Sequence, residues 1–239
     1  MPTADSGTED TLDLKLSPEV LALFAATPLT PPSEPRTPYA SGRPYRAAAP
    51  DLLDHVADWR AAQTSAGSFR LVPARLDRDL ELITGWMNDP AVAEFWELSG
   101  DRQVTEEHLR RQLTGDGRSV PCLGALDGTP MSYWEIYRAD LDPLARQYPA
   151  RPHDTGIHLL IGGSADRARG LGSVLLRAVA AMVLDNRPAC TRVVAEPDLR
   201  NTPSVSAFLS AGFRLCAELD LPDKRAALVV RERALRHLL

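Results

Sequence analysis

The sequence predicts an α/β fold, a mixed and mostly antiparallel sheet flanked by helices, and three features carry that expectation. Residues 120–126 and 130–138 are apolar, strand-like runs joined by Asp127-Gly128, a dipeptide suited to a tight hairpin. Two strand–helix–strand units follow, running through 156–162, 170–185, 192–197, 203–211 and 214–220. In the first of these helices Leu171, Val174, Leu175, Ala178, Val179, Met182 and Val183 recur at i, i+3, i+4, i+7, i+8, i+11 and i+12, the signature of one buried face.

Each element has its own warrant. Residues 1–66 are set apart as a proline-rich extension, because residues 28–50 hold seven prolines and such density prevents regular structure. Short helical patterns flank that stretch. Ser17-Pro18 reads as a cap followed by proline at the first helical position, and Leu52, Leu53, Val56 and Trp59 repeat at helical spacing. The regular domain is assigned to 67–239. It begins with a strand at 69–74 and a helix at 78–88 through Leu80, Ile83 and Met87. A second helix spans 105–113 with Thr105 as its cap. The hairpin and the two crossovers follow, with Gly212 ending the helix at 203–211. Strands at 214–220 and 225–233 close the chain.

Composition excludes several functions. A net charge of −5 argues against a nucleic-acid partner, which requires a basic face. No run approaches 18 apolar residues, so no membrane span is expected. The three cysteines, Cys122, Cys190 and Cys216, form no CxxC pair and read as small core residues of a reducing compartment, with no secretory signal and a cytoplasmic location expected. His153-Asp154 and His158 lack a firm third ligand or zincin spacing, so no metal is expected. His55, His108 and His237 read as solvated. Oligomeric state stays open between monomer and dimer.

Chemistry concentrates in the loop between the strand at 156–162 and the helix after it. Gly170-Leu171-Gly172-Ser173 opens that helix with small residues, leaving backbone N–H groups uncovered at its positive end. This suits a phosphate, and Arg167 and Arg169 stand beside it. A P-loop is excluded for want of Gly-Lys-Ser/Thr, and the dinucleotide fingerprint fails at Leu175. Inside the preceding strand, His158 is a titratable group in an apolar run, which costs free energy unless it has a partner or a task.

Arg167-x-x-Gly170-x-Gly172 resembles motif A of the GNAT acyltransferase superfamily, and Asn201, Ser204, Phe208 and Gly212-Phe213 fall on a second segment of that family. The stretches around Trp86-Met87-Asn88, Phe95-Trp96, Ser132–Tyr137, Gly156–Gly162, Glu196–Asn201 and Lys224-Arg225-Ala226 are similar to its siderophore-type branch, over roughly residues 69–233. That branch includes acylases of N-hydroxylysine and N-hydroxycadaverine and mycobactin lysine acyltransferases.

The resemblance implies a GNAT fold whose two central strands splay apart to admit acetyl-CoA or another short acyl-CoA. Leu160, Ile161, Gly162, Arg167, Arg169, Gly170, Leu171, Gly172, Ser173, Asn201, Ser204 and Phe208 would then hold the cofactor, with a backbone N–H near Leu160–Ile161 meeting the thioester oxygen. It implies catalytic roles for His158 as general base and Asp198 as its partner, although Asp198 also reads as a cap of the next helix. Trp96, Trp134, Glu135 and Tyr137 are expected at the acceptor; Trp134 and Tyr137 have opposite parity, so one of them faces core. Phe208 stands where many members carry a tyrosine that protonates the leaving thiolate, so that proton must come from elsewhere. The implied acceptor is a small amine or hydroxylamine, the latter largely neutral at pH 7 and in need of no strong base. Aminoglycoside acetylation, long-chain lysine acylation and a non-catalytic CoA-binding module remain as alternatives.

Overall fold

A computed structural model of the chain describes Leu53 and residues 55–237. The expected Ser17-Pro18 helix lies outside the described residues. Among those residues eight strands form one sheet in the order β1-β2-β3-β4-β5-β6-β8-β7. They are β1 (Ala62–Thr64), β2 (Gly67–Pro73), β3 (Ser119–Leu126), β4 (Thr129–Arg138), β5 (Thr155–Ile161), β6 (Arg192–Ala195), β7 (Arg214–Asp220) and β8 (Arg225–Glu232). Helices α1 (Leu76–Met87), α2 (Pro90–Trp96) and α3 (Arg102–Leu113) lie between β2 and β3; α4 (Leu171–Asn186) follows β5, and α5 (Thr202–Ser210) follows β6.

Every neighbouring pair is antiparallel except β5 with β6. That parallel pair is short: Thr155 meets Val193 and Gly156 meets Val194, and the pairing stops there. On its other side β5 pairs with β4 along its whole length, from Arg138↔Thr155 to Ser132↔Ile161. Residues 157–161 therefore hold one hydrogen-bonding edge toward a gap. The sheet opens as expected between its central strands.

Period-2 alternation sorts the side chains. Trp134 and Ile136 on β4, with Ile157 on β5, join the large core under α4, where Leu175, Leu176, Val179 and Val183 are buried. Tyr133 and Leu160 point the other way, into a core with Leu80, Ile83, Met87 and Leu109 of α1 and α3. His158 shares that second face, by parity with Leu160.

Four local expectations change. α2 is an addition to the predicted elements: Asp89 caps it by accepting from the Ala91 N–H, and Pro90 starts it. Thr105 is no cap; α3 begins at Arg102, and Thr105 is buried within it. Cys122 and Cys190 are core residues, but Cys216 is exposed on the edge strand β7. The pattern at 52–59 yields one 3-10 turn, Val56–Asp58, yet Leu53, Val56 and Trp59 enter the core under α4, and β1 extends the sheet. Chain before residue 66 thus contributes directly to the main core.

Candidate active site

A cavity of about 420 Å³ opens where β5 and β6 part. Its walls include Trp96, His108, Glu135, His158, Glu196, Asp198, Asn201, Ser204 and Phe208. The elements explain the gathering. Glu135 on β4 is directly opposite His158 on β5, and Glu196 is the first residue past β6. Asn201 caps α5 by accepting from the Ser204 N–H at 3.1 Å, and Phe208, on the same helix, packs edge-to-face with Phe213.

His158 has a carboxylate at each ring nitrogen. Nδ1 lies 2.9 Å from Glu135 Oε2, and Nε2 lies 2.5 Å from Glu196 Oε1. Ionised carboxylates only accept, so both ring nitrogens carry protons and the ring is an imidazolium. Burial opposes that charge, but the charge of Glu196 and the bonds to Glu135 and Glu196 outweigh it and push the imidazole up to about 10. Burial likewise opposes ionisation of Glu196, and His158, Lys224 and the Tyr137 hydroxyl overcome it, bringing the carboxyl down to about 2. Against the same burial, bonds from His108 and His158 hold Glu135 well below the usual carboxylate range. Lys224 Nζ stands 3.8 Å from Glu196, and Tyr137 donates its hydroxyl to Glu196 at 2.7 Å. The Tyr137 ring lies 4.8 Å from the imidazole, and Trp96 lies at 6.1 Å, edge-on.

Asp198 is not the partner of His158. Its carboxylate accepts from the backbone N–H and the guanidinium of Arg200, a local turn that ends two residues on. The reason is reach: Glu196 is nearer along the chain to the point where β6 leaves β5, and its longer side chain fills the gap to the ring. Asp198 remains on the cavity wall. Trp134 is also displaced from the expected site, being fully buried against Phe69 with its indole N–H on Ser132. Parity puts Tyr137, not Trp134, on the face that carries His158, but Tyr137 is buried behind the imidazole and Glu196 and does not itself line the cavity. Trp96 and Glu135 reach the cavity as expected. His108, expected in solvent, is bonded to Glu135 at 2.5 Å. No regularity of the polar face of α3 marks it. Glu196 did carry a signal, the same one as His158: an acid directly following the apolar run VVA.

The backbone gives two further corrections. Gly162 donates its N–H to the Met131 carbonyl, so by strand alternation Leu160 also faces β4, while the N–H groups of Leu159 and Ile161 face the gap. The donor expected near Leu160–Ile161 is thus Leu159 or Ile161. Arg167 is not free for phosphate: it donates to the Ile161 and Gly162 carbonyls at 3.0 and 2.8 Å and to Asp89 at 2.8 Å. Arg169 is 66% exposed, with Asp166 no nearer than 3.8 Å, and is the solvent-facing cation beside the loop. Gly170 takes φ 75°, the left-handed conformation that glycine adopts without strain, at the cap of α4. Ser173 donates to the Gly170 carbonyl at 2.8 Å, Leu171 packs against the α4 core, and Gly172 faces Ala207 of α5. A Cβ at Gly162 would overlap the Trp86 indole, so that glycine serves packing. Asp154 is consumed by Arg192 and Tyr148, and among the described residues no group of three or more His, Cys, Asp or Glu is arranged around a metal.

Comparison with known proteins accords with this geometry. A family model described as an acetyltransferase (GNAT) domain matches residues 75–221. A lysine N-acyltransferase, MbtK, from Mycobacterium sp. (strain MCS) is 39% identical over 163 residues, 68% of this chain and 66% of that protein. An N(6)-hydroxylysine O-acetyltransferase from Escherichia coli is 39% identical over 65% of this chain and 49% of its own length. The matched region thus spans about half to two thirds of these relatives. Among solved structures, an uncharacterized protein from Bacillus halodurans superposes with a TM-score of 0.66 at 34% identity, covering 78% of this chain and 91% of that one. The aminoglycoside acetyltransferase AAC(6')-Ib in complex with coenzyme A gives 0.61 at 25% identity, covering 70% and 94%.

Proposed function

The chain belongs to the GNAT acetyltransferase family, and from that premise we propose that it is an acyl-CoA-dependent N-acyltransferase. Its acceptor is an amine or N-hydroxylated amine of a diamine or diamino acid, and its product a hydroxamate or amide of the kind used in siderophores. The observation that carries this is the ion triad Glu135–His158–Glu196, set in a cavity beside the unpaired edge of β5. The names of the relatives, acyl transfer to lysine and to hydroxylysine, supply the acceptor class.

Each part of the site has a task. The uncovered N–H groups at the start of α4, with Arg169, suit the pyrophosphate of coenzyme A. Arg167 shapes that loop by tying the end of β5 to Asp89. The N–H groups of Leu159 and Ile161 point along the gap, where they meet a thioester oxygen as negative charge develops on it. A neutral hydroxylamine attacks the carbonyl carbon without help from a base. The proton shed by its nitrogen passes to Glu196, which in its protonated form no longer needs the His158 Nε2–H. As the carbon–sulfur bond breaks, the His158 imidazolium gives its Nε2 proton to the departing thiolate. Proton return from the carboxylic acid to the imidazole restores the starting state. His158 in this scheme is the acid that a tyrosine at Phe208 would otherwise be, rather than the free base expected from sequence.

Glu97 and Asp223 on the cavity wall also favour an acceptor with a second cationic group, as in a diamine or an aminoglycoside. The test is a panel: acetyl-, succinyl- and long-chain acyl-CoA, each against N-hydroxycadaverine, N-hydroxylysine, lysine and kanamycin, read by release of free thiol. Turnover with a hydroxylamine or a diamino acid is expected. Absence of acceptor-dependent thiol release across the panel would overturn the reading.

A further inference from the structure

Behind Glu135 the site continues onto α3, a helix on which the sequence placed no site residue. Glu135 is 7% exposed and holds His158 through Oε2. Its other oxygen, Oε1, accepts three donors: His108 at 2.5 Å, Gln112 at 2.6 Å and the Tyr133 hydroxyl at 3.0 Å. His108 and Gln112 are four residues apart on α3 and so share one helix face. Gln112 is fixed in turn by the Ser119 hydroxyl, which donates to its amide oxygen at 2.7 Å. A buried carboxylate with four donors is held in one rotamer and one charge state.

We infer that Glu135 is a positioning residue for acyl transfer, clamped by His108 and Gln112, and that it fixes the His158 ring and keeps it charged so that Nε2 is presented as the proton donor. The inference rests on the acyltransfer reading for its catalytic part. The sequence pattern points to Asp198 as the orienting carboxylate; the geometry puts it on β4. A carboxylate on Nδ1 fixes tautomer and ring plane, and favours the imidazolium over the neutral ring. The groups facing His158 are Glu135, Tyr133 and Tyr137 from β4, Glu196 past β6, Lys224 before β8, and His108 of α3 behind Glu135. Asp142 also acts on it through space. Of the two carboxylates in contact with the ring, Glu196 is shared with Lys224, whereas the donors to Glu135 come from histidine, glutamine and tyrosine side chains.

Two measurements test this. In the free protein, NMR of 15N-labelled histidine is expected to find His158 titrating about 1–3 pH units lower in Glu135→Gln than in the wild type, the usual effect of one adjacent opposite charge. No thioester chemistry enters that readout, so it stands even where the panel finds no turnover. In turnover, His108→Ala is expected to lower kcat about tenfold, with KM for acyl-CoA within about twofold, because a donor to a charged group is lost. His108→Gln keeps a donor at that end and is expected to recover most of kcat. His108 is half-buried at the cavity edge, so these variants remain informative where Glu135→Gln fails to fold. An unchanged His158 titration in folded Glu135→Gln, or equal kcat in His108→Ala, His108→Gln and wild type, would refute the role.

Discussion

At His158 the two flanking carboxylates fix the sign of each pH effect. An unfolded histidine titrates near about 6.5, while the folded ring titrates at about 10. Between those values the native state binds a proton that the unfolded state lacks, so this contribution is fully present below the lower value and is lost as pH rises through the upper one. Glu196, brought down to about 2, gives the opposite leg, present above the ordinary carboxylate range and lost in strong acid. Melting by circular dichroism is therefore expected to show Tm falling from about pH 6.5 to about pH 10 more steeply in wild type than in His158→Gln. The rate is expected to fall on the alkaline side near the upper pKa; a free base would give an acid-side fall in the imidazole range. His158→Ala is expected to lose about 10²–10⁴-fold in kcat with little change in acyl-CoA affinity. Single-turnover rates equal to wild type would reduce the histidine to a structural residue. At this scale the sequence disclosed His158, because a titratable residue in an apolar strand is conspicuous, whereas Glu135 entered only as an acceptor residue implied by the family resemblance. It did not disclose the pairing, since Glu196 and Asp198 are two residues apart and only the departure of β6 decides between them.

Between β5 and α4 the loop divides its work between two arginines that look equivalent in sequence. Arg167 spends its donors on the Ile161 and Gly162 carbonyls and on Asp89, the cap of α2. It joins the end of β5 to the first helical layer. Arg169 spends almost none. Arg167→Ala is expected to cost about 1.5–3 kcal/mol of stability in urea unfolding, the range for hydrogen bonds to a charged group, and to weaken coenzyme A only through the disturbed loop. Arg169→Ala is expected to leave the unfolding midpoint unchanged and to weaken coenzyme A by about 1–3 kcal/mol in calorimetry. The reverse pattern would return Arg167 to the phosphate. Elements with strong sequence signals were legible: the stripe of α4 and the hairpin at Asp127-Gly128 with its two apolar strands. α2 was not, because seven residues are too few to set a period and its start signal, Asp89-Pro90, follows directly on α1. β1, three residues long, had no period to read.

For the molecule as a whole, the family pattern and the core disagree on where the folding unit begins. Family resemblance starts near residue 69, and the matched family model starts at 75. The core starts earlier. Leu53, Val56 and Trp59 are 3%, 2% and 8% exposed and lie in the cluster that contains Phe69, Trp134 and the buried face of α4. Leu53 also donates its N–H to the Gly117 carbonyl at 3.2 Å, and β1 pairs with β2 from Ala62↔Phe69 to Thr64↔Gly67. Burying a large apolar side chain is worth about 1.5–3 kcal/mol, so these three residues contribute on the order of the 5–15 kcal/mol by which a domain is stable at all. Proline density marked a composition boundary, and composition does not report which flanking side chains are buried. Two truncations separate the possibilities. Removal of residues 1–48 keeps Leu53, Val56, Trp59 and β1, and is expected to leave Tm and coenzyme A affinity close to those of the full chain. Removal of residues 1–66 deletes all four, bares the edge of β2 and opens the core over α4; it is expected to give an insoluble protein or one melting at least about 10 °C lower. Equal melting of the two truncations would place the start of the folding unit after residue 66 and assign the earlier segment to the surface.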